Sequence, residues 1–438
     1  MSAQDKARVG TAFDPKVTSR NKWAFISDGA CFNIGQAFLE SNTVLPTFVR
    51  TLTSSPLLIG MVSSIRSFGY LMPQVFVAGF IENRPLKKPF MMKAGYVMRV
   101  GGIALALSAL IAKNNPGLAL AVFYLALVVF AFGDGFSGLP WMDIVAKTIP
   151  PDRRGRLFGS MQALGGLGAF LAGFLIQKLL NDNGNYPANY FTVMALGAFF
   201  MCCSLMAMHF IVEPGGPAPG KYCSLKTYLR RLPSAWADNP LFRQLMVTRL
   251  LTGSFYLCLP FFAIHAQTDL LFPASVVGLF VSAQMVGTVV GGPVWGYLGD
   301  RHGPYWVIRI VALMTTATPF LALGSRLANA LGIPALAYAL YFILYFCIGG
   351  FFGGTWIGFS NYVFDISVEG NRATLIGLYN SIGAPLTLLT MVGGWILQAT
   401  NYRTLFGIVA AIEVVACIVA FRLPDSREVS PAPPSHTL

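Results

Sequence analysis

Long apolar runs alternate with short polar interruptions along this chain. Runs of about 20 apolar residues recur between residues 23 and 422, and each, coiled as a helix, can cross a ~30 Å hydrocarbon layer. Membrane strands fit poorly, because the runs are too long and lack the alternation of a barrel strand. The pattern predicts twelve helices, at 23–46, 56–80, 89–112, 117–145, 155–180, 190–212, 241–266, 273–297, 304–327, 333–364, 372–399 and 403–422. Capping residues ahead of proline mark several starts, as in Ser54-Ser55-Pro56 and Asp238-Asn239-Pro240.

The pattern also repeats. Sliding the chain by 218 residues lays Gly60 on Gly278, Ser64 on Ser282, Gly69 on Gly287, Arg154 on Arg372, Leu157 on Leu375 and Gly165 on Gly383. The same offset puts Glu82 over Asp300, inside the charged turn Gly296-Tyr297-Leu298-Gly299-Asp300-Arg301-His302-Gly303. One ungapped offset held over about a hundred residues signals an internal duplication. The organisation that follows is a polar tail at 1–22, a six-helix bundle at 23–212, a linker at 213–240, a second bundle at 241–422 and a tail at 423–438. Within the linker, Leu225, Tyr228, Leu229 and Leu232 oppose Lys226, Arg230 and Arg231, as in an amphipathic piece lying on a membrane surface.

Composition agrees with the pattern. The chain is 55% hydrophobic and 11% charged, with mean hydropathy +0.61, whereas soluble proteins carry roughly 25% charged residues. The net charge of +13 would suggest nucleic acid in a soluble protein. Here it is a topology signal. Arg50, Lys113, Lys178, Arg326 and Arg403 fall on one side, and Arg66, Arg99 and Arg249 fall inside spans. The remaining 23 of the 31 basic residues lie in alternate loops and tails, which puts both termini in the cytoplasm. The first 22 residues lack the apolar core of a cleaved signal. The seven cysteines form no metal-type pair, and no cofactor motif or Walker-type nucleotide site occurs.

Twelve spans in two halves, with a charged turn after the second helix of each half, resemble the major facilitator superfamily. Gly296, Leu298, Asp300, Arg301 and Gly303 match the family's signature loop, while the first copy keeps the acid as Glu82 and loses the glycine at Pro85. The resemblance implies an all-α membrane protein of two pseudo-symmetric six-helix bundles, and a secondary transporter rather than an enzyme. It implies a monomer in a plasma membrane, the inner membrane of a bacterium, whose partners are the bilayer, a small-molecule substrate and protons. It also implies that Asp300 and Glu82 contact helix starts near Gly155 and Arg372 as a cytoplasmic gate, with Arg154 and Arg301 beside them. The fifth helix lacks the proline of the family's exporter signature, which weakens an antiport expectation.

Polar residues inside spans are costly and mark pathways. Gly29, Asn33, Gln36, Glu40 and Thr43 form a polar stripe on the first helix, fitting either a substrate cavity or a helix–helix seam. Helical rise puts Arg66 within reach of Glu40. The repeat pairs Arg66 with Gln284 and Gln162 with Asn380, so these four, with Tyr256 and Trp356, are expected to line the substrate site. Glu40 and Asp134 are the candidates for proton coupling. Asp28 with Arg249 is expected to form an inner gate, and Arg99 to pair with Asp134. A non-transporting receptor or assembly factor on the same fold is the alternative. An intramembrane enzyme is the weakest class, since His209 and His265 show no partner carboxylates at ligand spacing.

Overall fold

A computed structural model describes residues 15–81, 86–181, 185–214, 239–367, 375, 379 and 382–429. The described residues are helical with no strand. In chain order the helices are α1 (Pro15–Phe38), α2 (Val44–Leu52), α3 (Pro56–Ile81), α4 (Lys88–Ile111), α5 (Pro116–Thr148), α6 (Pro151–Leu180), α7 (Ala188–His209), α8 (Pro240–Thr252), α9 (Phe261–Thr268), α10 (Val276–His302), α11 (Pro304–Ala330), α12 (Pro334–Asp365), α13 (Leu389–Ala399), α14 (Tyr402–Phe421) and α15 (Ser426–Val429). Among the described residues nine helical stretches are long and apolar enough to cross a membrane. The fold is the expected all-α membrane architecture.

Three expected spans are broken. The first stops at Phe38 and restarts at Val44. The seventh passes through a 3-10 turn at Gly253–Leu257 and restarts after Pro260, and the eleventh contains a 3-10 turn at Ala384–Leu388. Proline explains two of these breaks, because its ring removes a donor and clashes with the preceding turn. Elsewhere the local signals act as expected. Asn115, Asn239 and Asn401 accept the N–H groups of Leu118, Phe242 and Thr404 at 3.0, 3.0 and 3.1 Å, closing the starts of α5, α8 and α14. Gly303, at φ +94°, ends α10 in a conformation that favours glycine.

Two compact units result. The first comprises Met1–Ser54, Val62–Tyr222 and Phe272–Ser282; the second comprises Ser55–Met61, Cys223–Leu271 and Ala283–Leu438. The short exchanged pieces, 55–61 and 272–282, are related by the 218-residue offset. Each unit holds an apolar core at equivalent positions. Ala24, Ile144, Val145, Leu157, Met161 and Leu205 of the first correspond to Phe242, Tyr362, Val363, Leu375, Tyr379 and Leu423 of the second. The duplication read from the sequence is thus a duplication of packing.

Each unit also contains a close backbone approach. In the first, a methyl added at Gly173 would lie 2.4 Å from the Gly278 carbonyl, and Ser282 donates to the Phe170 carbonyl at 2.8 Å. In the second, a methyl at Gly60 would lie 2.3 Å from the Thr390 carbonyl, and Thr390 Oγ1 donates to the Gly60 carbonyl at 2.9 Å. Only glycine allows backbones this close. The predicted amphipathic piece at 223–232 lies outside the described residues.

Candidate functional site

In the first unit, α3 carries Arg66 and α5 carries Asp134. Arg66 Nη2 meets Asp134 Oδ2 at 2.6 Å, with both side chains about nine-tenths buried. The guanidinium lies 5.1 Å from the Phe130 ring and 6.0 Å from that of Tyr70. A charged pair so enclosed by aromatic rings has little water to screen it. Arg66 was expected to reach Glu40, and that expectation is corrected. The break after Phe38 leaves Glu40 off the helix, where its oxygens accept from the Asn42 N–H at 2.5 Å, Asn42 Nδ2 at 3.0 Å and Thr43 Oγ1 at 3.1 Å. Glu40 holds the turn that joins α1 to α2.

A second buried network lies on α1, α4, α5 and α7. Asp28 accepts from Trp141 Nε1 at 2.7 Å and from Ser204 Oγ at 2.6 Å. Arg99 donates to that same Ser204 oxygen at 2.8 Å and to the Met201 carbonyl at 2.9 Å. Ser204 therefore links a buried acid to a buried base. This corrects two pairings: Arg99 bonds α7 rather than Asp134, and Asp28 is satisfied within its own unit rather than by Arg249. Its carboxylate needs several donors to be tolerated in an apolar core, and Trp141 and Ser204 supply them.

The remaining candidates of this unit are dispersed. Gly29 and Asn33 face α6: a methyl added at Gly29 would strike Met161, and one at Gly165 would sit 2.7 Å from the Asn33 side chain. That part of the polar stripe belongs to a helix seam. Gln36 is half-buried and Gln162 exposed. Arg154 donates to the Ile149 and Ala146 carbonyls at 3.0 and 2.7 Å, closing the end of α5.

In the second unit, the Arg249 guanidinium carbon lies over the Tyr379 ring, 3.4 Å from its centre, and Arg249 donates to the Tyr379 carbonyl at 2.6 Å. Among the described residues it makes no ion pair. Tyr379 forms one wall of a cavity of about 180 Å³ whose other walls include Trp356, Ser360, Asn361 and Phe364. Trp356 is 68% exposed. Tyr256 is half-buried, with its ring 6.0 Å from that of Phe351. Gln284 is buried, and its Oε1 has no hydrogen-bond partner among the described residues. The Asp300 side chain is exposed, while its carbonyl and that of Gly299 accept from Arg427 at 3.0 and 2.6 Å. Arg301 reaches the Tyr297 hydroxyl. Glu82, Arg372 and Asn380 lie outside the described residues.

Two buried polar groups were not legible beforehand as parts of a cluster. Glu413 is fully buried on α14 and accepts from Ser254 at 2.8 Å and Thr315 at 2.7 Å, tying the 3-10 turn to α11. His265 lies 2.5 Å from the Tyr341 hydroxyl and 3.9 Å from Asp269, which pairs with Arg326 at 2.5 Å. The i, i+4 spacing of His265 and Asp269 was the available signal for their proximity, but at 3.9 Å the acid is beyond hydrogen-bonding distance of the ring. No group of residues able to hold a metal occurs among the described residues.

Similarity to known proteins agrees with this fold. The chain is 25% identical over 311 residues to the multidrug resistance protein MdtG of Serratia proteamaculans (strain 568), covering 69% of this chain and 71% of that one. It is 25% identical over 312 residues to the multi-drug resistance efflux pump PmrA homolog of Lactococcus lactis subsp. lactis (strain IL1403), covering 66% and 69%. Its fold matches the crystal structure of a D-xylose-proton symporter with a TM-score of 0.68 at 15% identity, over 94% of this chain and 99% of that one. The family model described as Major Facilitator Superfamily matches residues 29–265 and 245–437. The chain therefore belongs to the major facilitator superfamily of membrane transporters.

Proposed function

We propose that the protein is a proton-coupled exporter of small amphipathic organic solutes, working by alternating access. The observation that carries this is the buried Arg66–Asp134 pair. A carboxylate in a low-dielectric setting stays ionised while its arginine is at hand, and takes a proton when the arginine turns to another partner. Motion of α3 against α5 would then move a proton. Glu40, held by its own turn, is poorly suited to that task, so Asp134 is the stronger of the two coupling candidates. The exposed Trp356 beside Tyr379 and Phe364 suits an aromatic or apolar solute, with Ser360 and Asn361 to orient it. Outward direction is supported by the names of the multidrug resistance relatives. Both termini on the cytoplasmic side of a plasma membrane, and a monomer, complete the proposal.

Arg249 favours a second reading. A cation with an aromatic ring and no ion-pair partner among the described residues could draw an anionic solute instead. Purified protein in liposomes with an imposed pH gradient separates the two. The first reading expects gradient-driven movement of ethidium, lost in Asp134→Asn; the second expects citrate to move and ethidium not. Movement of neither would favour a receptor or assembly factor built on the carrier fold.

A further inference from the structure

The first unit holds a recess that the transport reading does not use. Its volume is about 340 Å³, and its walls include Arg20 from α1, Leu86, Lys88 and Pro89 at the start of α4, and His209 and Glu213 at and beyond the end of α7. Since α4 begins and α7 ends there, and both are apolar spans, the recess sits at the polar margin of the membrane-crossing layer.

Its two cations are held by main-chain oxygens. Arg20 donates Nε to the Phe210 carbonyl at 2.9 Å, and Lys88 Nζ donates to the carbonyls of His209 and Ile211 at 2.8 and 2.5 Å. Among the described residues neither forms an ion pair. Glu213, the acid in the wall, is engaged elsewhere: Oε1 accepts from Lys147 at 2.9 Å, and Oε2 accepts the main-chain N–H groups of Lys87 and Lys88, each at 2.7 Å. Asp143 pairs with Lys87 at 2.8 Å and Lys147 at 3.3 Å. Four cations thus surround two carboxylates, and the excess positive charge is on Arg20 and Lys88, facing the recess. Arg20 and Lys88 donate to three successive carbonyls at the end of α7 with one and two of their N–H groups, are close enough to repel each other, and carry further guanidinium and ammonium N–H donors besides. Beside the recess stand Leu86, Phe210 and Tyr96, which are 46, 60 and 50% exposed, a surface suited to acyl chains.

We propose that this recess binds a phosphate anion, presented by an anionic phospholipid headgroup or free in solution. Arg20 supplies the forked donors and Lys88 the point charge, in the manner of basic pockets between membrane helices that hold anionic headgroups.

Native mass spectrometry of the purified full chain with added phosphatidylglycerol tests the lipid source, and thermal unfolding with inorganic phosphate in lipid-free detergent tests the free one. Retention of phosphatidylglycerol that falls about thirtyfold in Arg20→Ala/Lys88→Ala, about fivefold per cation, supports the site with a lipid ligand. Stabilisation by inorganic phosphate with the same sensitivity supports it with free phosphate. Lys22→Ala, on a neighbouring exposed cation stacked on Trp23, should change neither. The charge-keeping variant Arg20→Lys/Lys88→Arg should fold and retain binding. Loss of binding in that variant despite normal folding, unchanged binding in the double alanine variant, or no binding in either arm overturns the proposal.

Discussion

Arg66 and Asp134, 68 residues apart in the chain, meet at 2.6 Å inside the first unit, and the 218-residue offset sets them against Gln284 and Phe352 in the second. The charge pair occurs once where the packing occurs twice. Gln284, at the position of Arg66, keeps a buried oxygen with no partner among the described residues. One unit carries the ion pair and its counterpart is neutral, the asymmetry expected if coupling resides in a single half.

The Asp28–Ser204–Arg99 network should act through stability. Ser204→Ala removes the donor to Asp28 and the acceptor for Arg99 in one step. Unsatisfied buried groups cost about 1–3 kcal/mol. Thermal unfolding in detergent should show a clear loss for Ser204→Ala, and a much smaller one for Ser160→Ala, whose half-buried hydroxyl bonds the Arg156 carbonyl of its own helix.

The glycine approaches give a paired prediction. Gly60→Ala and Gly278→Ala force a methyl to within 2.3 and 2.2 Å of a backbone carbonyl, and overpacking of that kind costs typically 1–3 kcal/mol. Gly155→Ala and Gly296→Ala meet nothing within 4 Å. Thermal unfolding should separate the first pair from the second.

Trp356 should matter for solute and little for folding, because 68% of its surface is exposed. Losing one aromatic contact costs about 0.5–1.5 kcal/mol, or roughly two- to tenfold in affinity. Ethidium binding to Trp356→Ala, followed by fluorescence, should weaken by that factor while unfolding temperature holds.

The fold was legible because its signals are long and redundant: apolar runs set the spans, and one offset exposed the duplication. Pairings were less so. Helical rise gave depths for Arg66 and Asp134 that differ by only about 5–9 Å in a 30 Å layer, a gap an extended arginine spans. An unbroken first helix would put Glu40 nearer to Arg66 than Asp134, and the helix is broken between Phe38 and Val44. The signal for the break was Ser41-Asn42-Thr43 ahead of Pro46, capping residues followed by a proline in the first turn of α2. Asp28 failed for another reason. Its donors, Trp141 and Ser204, are common packing residues whose part in the network depends on which helices meet.

The most direct test of proton coupling follows the lumenal pH of liposomes with a trapped pH dye when ethidium is added. Wild-type protein should move protons against ethidium, Arg66→Lys should do so more weakly, and Asp134→Asn should exchange ethidium down its own gradient with no proton movement. Proton movement in Asp134→Asn equal to that of wild type would contradict the central claim.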